Sequence, residues 1–310
     1  LAPSFCFCDK ARSKTGADMT RGKATGIGFS AVALWSLLAV FTVASAPVPP
    51  FLLSAMTFAI GGAVGLVWLR ATGGTAVLRR VPIKAYAFGT AGLFGYHFLY
   101  FTALRLAPPA EAGLICYLWP LLIVLFSGLL PGEVLTRGHI AGALLAFAGA
   151  ALIVAGGIGG VSGAAGGYAV AFVAALTWAG YSLGSRRLAG VPTAAVAVTC
   201  LATAGLSLLA HLVLEQTVWP QGIRGWMAVL ALGLGPVGLA FYTWDVGVKR
   251  GDIQLLGTAS YAAPLLSTLV LVLSGLATAS LSLALAAGLI AGGALIAARA
   301  GRRITQPRGA

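Results

Sequence analysis

The chain reads as an all-α integral membrane protein with ten transmembrane helices, arranged as two inverted five-helix repeats. Three observations predict this class. Of 310 residues, 59% are hydrophobic and only 9% charged, whereas a soluble domain is about 25% charged and needs that charge to cover its surface. The charges fall in short clusters that punctuate long uncharged runs. Marked positions also recur at a displacement of 143 or 144 residues.

The runs define the elements in order. Three of them, 24–69, 140–185 and 253–298, are 46 residues each. As single helices rising roughly 1.5 Å per residue they would be more than twice as long as the roughly 30 Å hydrocarbon core. Each therefore makes two spans, broken at APVPP (46–50), GGIGGVSGAAGG (156–167) and SGLATAS (274–280). The runs 85–104, 112–132, 188–214 and 225–244 are single spans. Lipid accepts only structures that satisfy their own backbone, and these segments lack strand alternation, so they are helices.

Ten spans put both termini on one side. With that side taken as cytoplasmic, 18 of the 20 Lys and Arg lie inside and only Arg105 and Arg224 outside, as the positive-inside rule requires. The domains expected are a cytoplasmic tail (1–23), a first repeat (24–157), a Gly-rich outer linker (158–167), a second repeat (168–299) and a basic cytoplasmic tail (300–310). No signal-peptide cleavage pattern follows the first tail, and Met19 is a candidate natural start. The net charge of +13 is dispersed among loops, not gathered on one face, so no nucleic-acid partner is expected. Cys6 and Cys8 form only a C-x-C in the tail, while Cys116 and Cys200 lie in apolar runs as small hydrophobes; no metal is expected.

The repeat aligns Trp35 with Trp178, Pro49 with Pro192, and Gly95, Phe98 and Phe101 with Gly238, Phe241 and Trp244. Tyr117 and Pro120 align with Tyr261 and Pro264, and GAALI (149–153) with GGALI (292–296). Because five is odd, the second copy enters from the opposite face. Inverted repeats of this kind let two halves exchange conformations around a midplane site.

No carboxylate stands at a span centre, which argues against a carboxylate proton relay or a multivalent-cation site. Glu111 follows Pro108 and Pro109 at a helix start, and Glu133 and Glu215 end spans. Asp245 precedes Lys249 by four residues, the spacing of a helix-surface ion pair. His97 sits mid-span, either as a core histidine bonded across helices or as a residue that meets solute. Trp35, Tyr96, Tyr100, Tyr117, Trp119, Trp178 and Tyr261 also lie deep in spans, away from the interface where Trp68, Trp219 and Trp226 belong. Their polar tips need partners that lipid lacks. As a set with His97 they are expected to line a central cavity offering stacking, cation–π contacts and a few polar handles to an organic solute. Pro120 and Pro264 mark equivalent kinks, static or hinge-like. Gly61 with Gly65, and Gly288 with Gly292, predict close helix packing. Gly22-Lys23 lacks P-loop spacing, and the chain carries no nucleophile elbow and no H-E-x-x-H, so neither an ATP motor nor an enzyme is expected.

The stretch RLAPPAEAGLICYLWPLLIVLFSGLLPGEVLTRGHIAGALLAFAGAALIV, Arg105 to Val154, resembles the EamA repeat of the drug/metabolite transporter superfamily. Glu111, Pro120, Glu133, Gly142 and Gly149 stand in that pattern's places, whereas Ala277 stands near where the second copy would carry its counterpart of Glu133. The Y-L-W-P at Tyr117 to Pro120 is similar to that of the aromatic amino acid exporters within the superfamily. The resemblance implies export of aromatic and other amino acids across a bacterial inner membrane by alternating access, with a periplasmic linker and no cofactor. Two alternatives stay open: an exporter of another metabolite or drug-like compound, and a membrane-embedded enzyme or scaffold. Facilitated diffusion and proton coupling also both stay open.

Overall fold

The structure, a computed structural model, describes residues 19–154, 164–273 and 280–305. The described residues are helical throughout, with turns between. In chain order they form α1 (Arg21–Trp35), α2 (Leu38–Ala44), α3 (Pro50–Ala71), a 3-10 segment (Gly74–Arg80), α4 (Ile83–Leu106), α5 (Pro109–Cys116), α6 (Trp119–Ser127) and α7 (Arg137–Val154). Then follow α8 (Ala165–Arg187), α9 (Ala195–Leu214), α10 (Gly222–Leu234), a π-turn (Gly235–Leu239), α11 (Ala240–Arg250), α12 (Ile253–Ala259), α13 (Ala262–Leu273) and α14 (Leu281–Thr305).

Seven stretches are long and apolar enough to cross a membrane: Arg21–Ala44, Pro50–Ala71, Ala165–Arg187, Ala195–Leu214, Gly222–Arg250, Ile253–Val270 and Leu281–Gly301. Glu111–Ser127 and Arg137–Leu152 are shorter apolar helices, and α4 is 24 residues long. The chain is a multi-pass, all-helical membrane protein. The APVPP break falls between α2 and α3, where Pro50 at the first helical position needs no backbone donor. Most of the Gly-rich break and residues 274–279 lie outside the described residues, as do Cys6 and Cys8. Three helix ends fall near the expected domain bounds without coinciding with them. Arg21 already belongs to α1, started by Thr20, whose side chain accepts from the Lys23 N–H. Helix α8 opens at Ala165. Helix α14 runs on to Thr305, past the expected tail boundary at 299.

Helices from the two halves pack reciprocally. Helix α1 lies along α11, and α4 along α8; the repeat displacement converts one pairing into the other. Helix α3 packs on α9 and α7 on α14, each pairing an element with its own counterpart. Missing side chains permit these approaches: a Cβ on Gly28 would stand 2.8 Å from the Gly247 Cα, and one on Gly142 2.5 Å from the Gly293 carbonyl oxygen. Gly61 behaves as expected, with a Cβ there 2.7 Å from the Gly238 Cα, and Gly65 faces Tyr242. The expectation for Gly288 and Gly292 is corrected. A Cβ on Gly288 meets nothing within 4 Å and one on Gly292 only Leu145 at 3.6 Å, so Gly293 carries the contact with α7. Small-residue spacing locates such an interface but not which face of the helix is turned to it.

Candidate functional site

The two prolines do not kink continuous helices. Pro120 stands in the first turn of α6, after an interruption at Tyr117–Leu118, and α13 begins at Ala262 just before Pro264, after an interruption at Ser260–Tyr261. The cause is local: proline has no N–H for the carbonyl one turn upstream, and its ring crowds that carbonyl. Helix α10 is interrupted in a comparable way by the π-turn containing Pro236.

These interruptions surround a knot of rings. Trp35 from α1 lies 5.7 Å from Trp178 of α8, 6.2 Å from Trp119 of α6 and 5.1 Å from Trp244 of α11, centroid to centroid. Trp119 meets Trp178 edge-on at 6.1 Å and Trp244 at 5.7 Å. Phe241 closes against Trp35 and Trp178 at 6.2 and 5.9 Å. Edge-to-face and tilted pairs match the ring quadrupoles, each worth about 0.5–1.5 kcal/mol beyond area burial. Tyr96 of α4 joins at 5.0 Å from Trp178 and stacks on Tyr100 at 5.9 Å. The phenols of Tyr96, Tyr100 and Tyr117 and the Cys116 thiol lie near one another.

The polar tips divide into satisfied and unsatisfied. The Trp35 indole N–H donates to the Pro236 carbonyl at 3.1 Å, an acceptor supplied by the π-turn. The Trp244 indole N–H donates to the Ser182 hydroxyl at 3.1 Å. The Trp178 indole N–H is buried with no partner, an exception to the rule that buried donors are paired. Trp119, Trp178 and Trp244 are buried, while Trp35, Tyr96, His97, Tyr100 and Tyr117 remain half-buried.

Of the expected site residues, the structure brings Trp35, Tyr96, Trp119 and Trp178 into ring contact, with Tyr100 and His97 beside Tyr96. His97 bonds within its own helix and not across helices: its Nδ1–H donates to the Leu93 carbonyl at 2.7 Å, and its ring meets Phe58 edge-on at 5.0 Å. Tyr261 stands apart, fully buried, against Phe147 at 5.8 Å. Phe241 and Trp244 are additions. The repeat alignment places both opposite α4 aromatics, and that correspondence was the signal for them. A cavity of about 540 Å³ lies at the end carrying Arg21, Glu133 and Asp252.

Charge is kept away from the rings. All five carboxylates among the described residues are partnered. Glu111 accepts from the Tyr168 hydroxyl. Glu133 pairs with Arg186 and, at 3.0 Å, with Arg21. Glu215 pairs with Arg105 at 2.7 Å and accepts the Phe51 and Leu52 N–H groups at the start of α3. Asp245 pairs with Lys249 at 2.9 Å, as its spacing predicts. Asp252 accepts the Leu255 N–H at 3.0 Å and starts α12. Trp68 and Trp219 are well exposed, and Trp219 stacks on Trp226 at 6.3 Å.

Comparison with known proteins places this geometry in a family. The model of the EamA-like transporter family matches twice, over residues 23–155 and 165–299. The chain is 56% identical to "Aromatic amino acid exporter YddG" of Ancylobacter novellus over 289 residues, 92% of this chain and 100% of that one. It is 29% identical to the protein of the same name in Escherichia coli K12 over 301 residues, again 92% of this chain and 100% of that one. A solved structure described only as the crystal structure of a protein aligns with a TM-score of 0.87 at 56% identity, covering 92% of this chain and 100% of that chain. The chain belongs to the EamA-like transporter family.

Proposed function

We propose that the chain exports aromatic amino acids across a bacterial inner membrane by alternating access. The observation that carries this is the tryptophan knot, where four helices drawn from both halves meet in rings with a buried, unpartnered indole N–H among them. An aromatic side chain stacks on such rings, its ammonium meets ring faces, and its carboxylate accepts from the indole N–H or the neighbouring phenols. The names of the two exporters above support the substrate class. The site comprises Trp35, Tyr96, His97, Tyr100, Tyr117 and Trp119 from the first half and Trp178 from the second, with Tyr261, buried apart from these rings, joining them in another state of the cycle.

The finer architecture belongs to the same reading: ten crossings as two inverted repeats, 24–157 and 168–299, joined by an outer linker, with both termini cytoplasmic. The seven long apolar stretches, the two shorter helices, α4, the reciprocal packing and the asymmetry of basic residues support it. Pro120 and Pro264 serve as hinges because each follows a ready-made interruption. Uptake of labelled tryptophan and phenylalanine into proteoliposomes tests the function. Saturable uptake that Trp119→Ala abolishes is expected. Uptake of an unrelated metabolite without competition by aromatic amino acids would replace the substrate assignment.

A further inference from the structure

The interruptions at Tyr117–Leu118 and Ser260–Tyr261 fall at equivalent points, and each holds a tyrosine three residues before a proline. The two tyrosines are used differently. Tyr261 is fully buried, and its hydroxyl accepts the backbone N–H of Leu121 at 3.0 Å, a donor that the break in the α5–α6 rod detaches from its helix. Tyr117 is half-buried, with no such bond to the described residues of the opposite half and with Tyr100 nearby. At the same displacement, the counterpart of Leu121 is Leu265, directly after Pro264.

We propose that Tyr117 and Tyr261 exchange roles between the two states of the transport cycle. In the opposite state the Tyr117 hydroxyl takes the Leu265 N–H, and Tyr261 leaves Leu121 and turns to the solute path. This rests on the inverted-repeat, alternating-access reading above. In such a cycle each half adopts in one state the conformation its counterpart holds in the other. A contact made by one half alone therefore has a mirror image. A buried backbone donor without a partner is costly, so each hydroxyl stabilises one state and not the other, which is what biasing a two-state equilibrium requires. Both are positioning residues, and substrate specificity comes from the rings around them.

The test uses full-length protein in liposomes, with the tail cysteines removed (Cys6→Ser, Cys8→Ser) and spin labels at exposed positions (Thr75→Cys, Ala189→Cys). The inter-label distance distribution gives the ratio of the two states. Tyr261→Phe is expected to move that ratio about fivefold away from the state described here, and Tyr117→Phe about fivefold towards it, each the worth of one hydrogen bond. The double variant is expected to restore the original ratio. Shifts in the same direction, or no shift, overturn the proposal. If Tyr261→Phe does not fold, Tyr117→Phe alone still decides, because its expected shift is towards the described state. Transport of aromatic amino acids is read separately in unlabelled protein. Absence of that activity in protein carrying neither tyrosine substitution, with opposed shifts intact, would sink the substrate reading and leave the exchange standing.

Discussion

Two indoles in the knot differ in a way that separates packing from recognition. Trp35 spends its N–H on Pro236, so Trp35→Phe removes one neutral hydrogen bond and is expected to cost about 1 kcal/mol, read as a lower thermal midpoint in detergent. Trp178 has no bond to lose. Trp178→Phe keeps a ring in place and is expected to lower aromatic amino acid uptake about tenfold, the worth of a bond made to substrate, with little change in the midpoint. Equal losses of uptake and stability would mean that the Trp178 N–H does not meet substrate. The ring positions were legible in the sequence because seven amphipathic side chains lay too deep for the interface. The partners of His97 and Tyr261 were not. An intrahelical bond to Leu93 and a bond to Leu121 depend on rotamer and on a local break, neither of which residue type or spacing encodes.

At the scale of elements, the sequence located the APVPP break between α2 and α3, yet it ran one unbroken span through the π-turn at Pro236 and read Pro120 and Pro264 as bends in continuous rods. The difference is one of position. A proline in the first turn of a new segment costs nothing there, and the interruption is displaced to the preceding residues. Glycine content located the packing faces only approximately. This gives a paired prediction. Gly28→Ala forces a Cβ to within 2.8 Å of the Gly247 backbone and is expected to destabilise by about 1–3 kcal/mol. Gly288→Ala meets open space within its helix and is expected to stabilise by about 0.5–1 kcal/mol. Thermal unfolding of the two variants side by side checks both signs.

Over the whole molecule, polar clamps gather at the two ends of the bundle and leave the middle to rings. At one end Glu133 joins Arg21 of α1 to Arg186 of α8, while Arg186 also donates to the Val248 and Gly251 carbonyls at 2.9 Å. At the other, Glu215 at the end of α9 holds the start of α3 and Arg105 at the end of α4. Glu133→Gln leaves the partly buried Arg186 without its counter-charge and is expected to cost about 3 kcal/mol, measured as a fall in the thermal midpoint. An unchanged midpoint would make the cluster an ornament of the surface. The sequence placed these carboxylates at span ends but could not pair them with Arg186, Arg105 and Arg21, which lie 53 to 112 positions away.

The reciprocal packing bears on how the chain is made. Trp35 and its acceptor Pro236 are 201 positions apart, so α1 enters the bilayer long before the helix it lies along has been synthesised. Lipid tolerates the wait, since an apolar helix gains no hydrophobic drive by finding a partner there. The first half therefore inserts as a loose set of helices and consolidates only when the second arrives. A polypeptide cut between the halves should regain its form when both pieces are produced in one cell, and neither piece should do so alone.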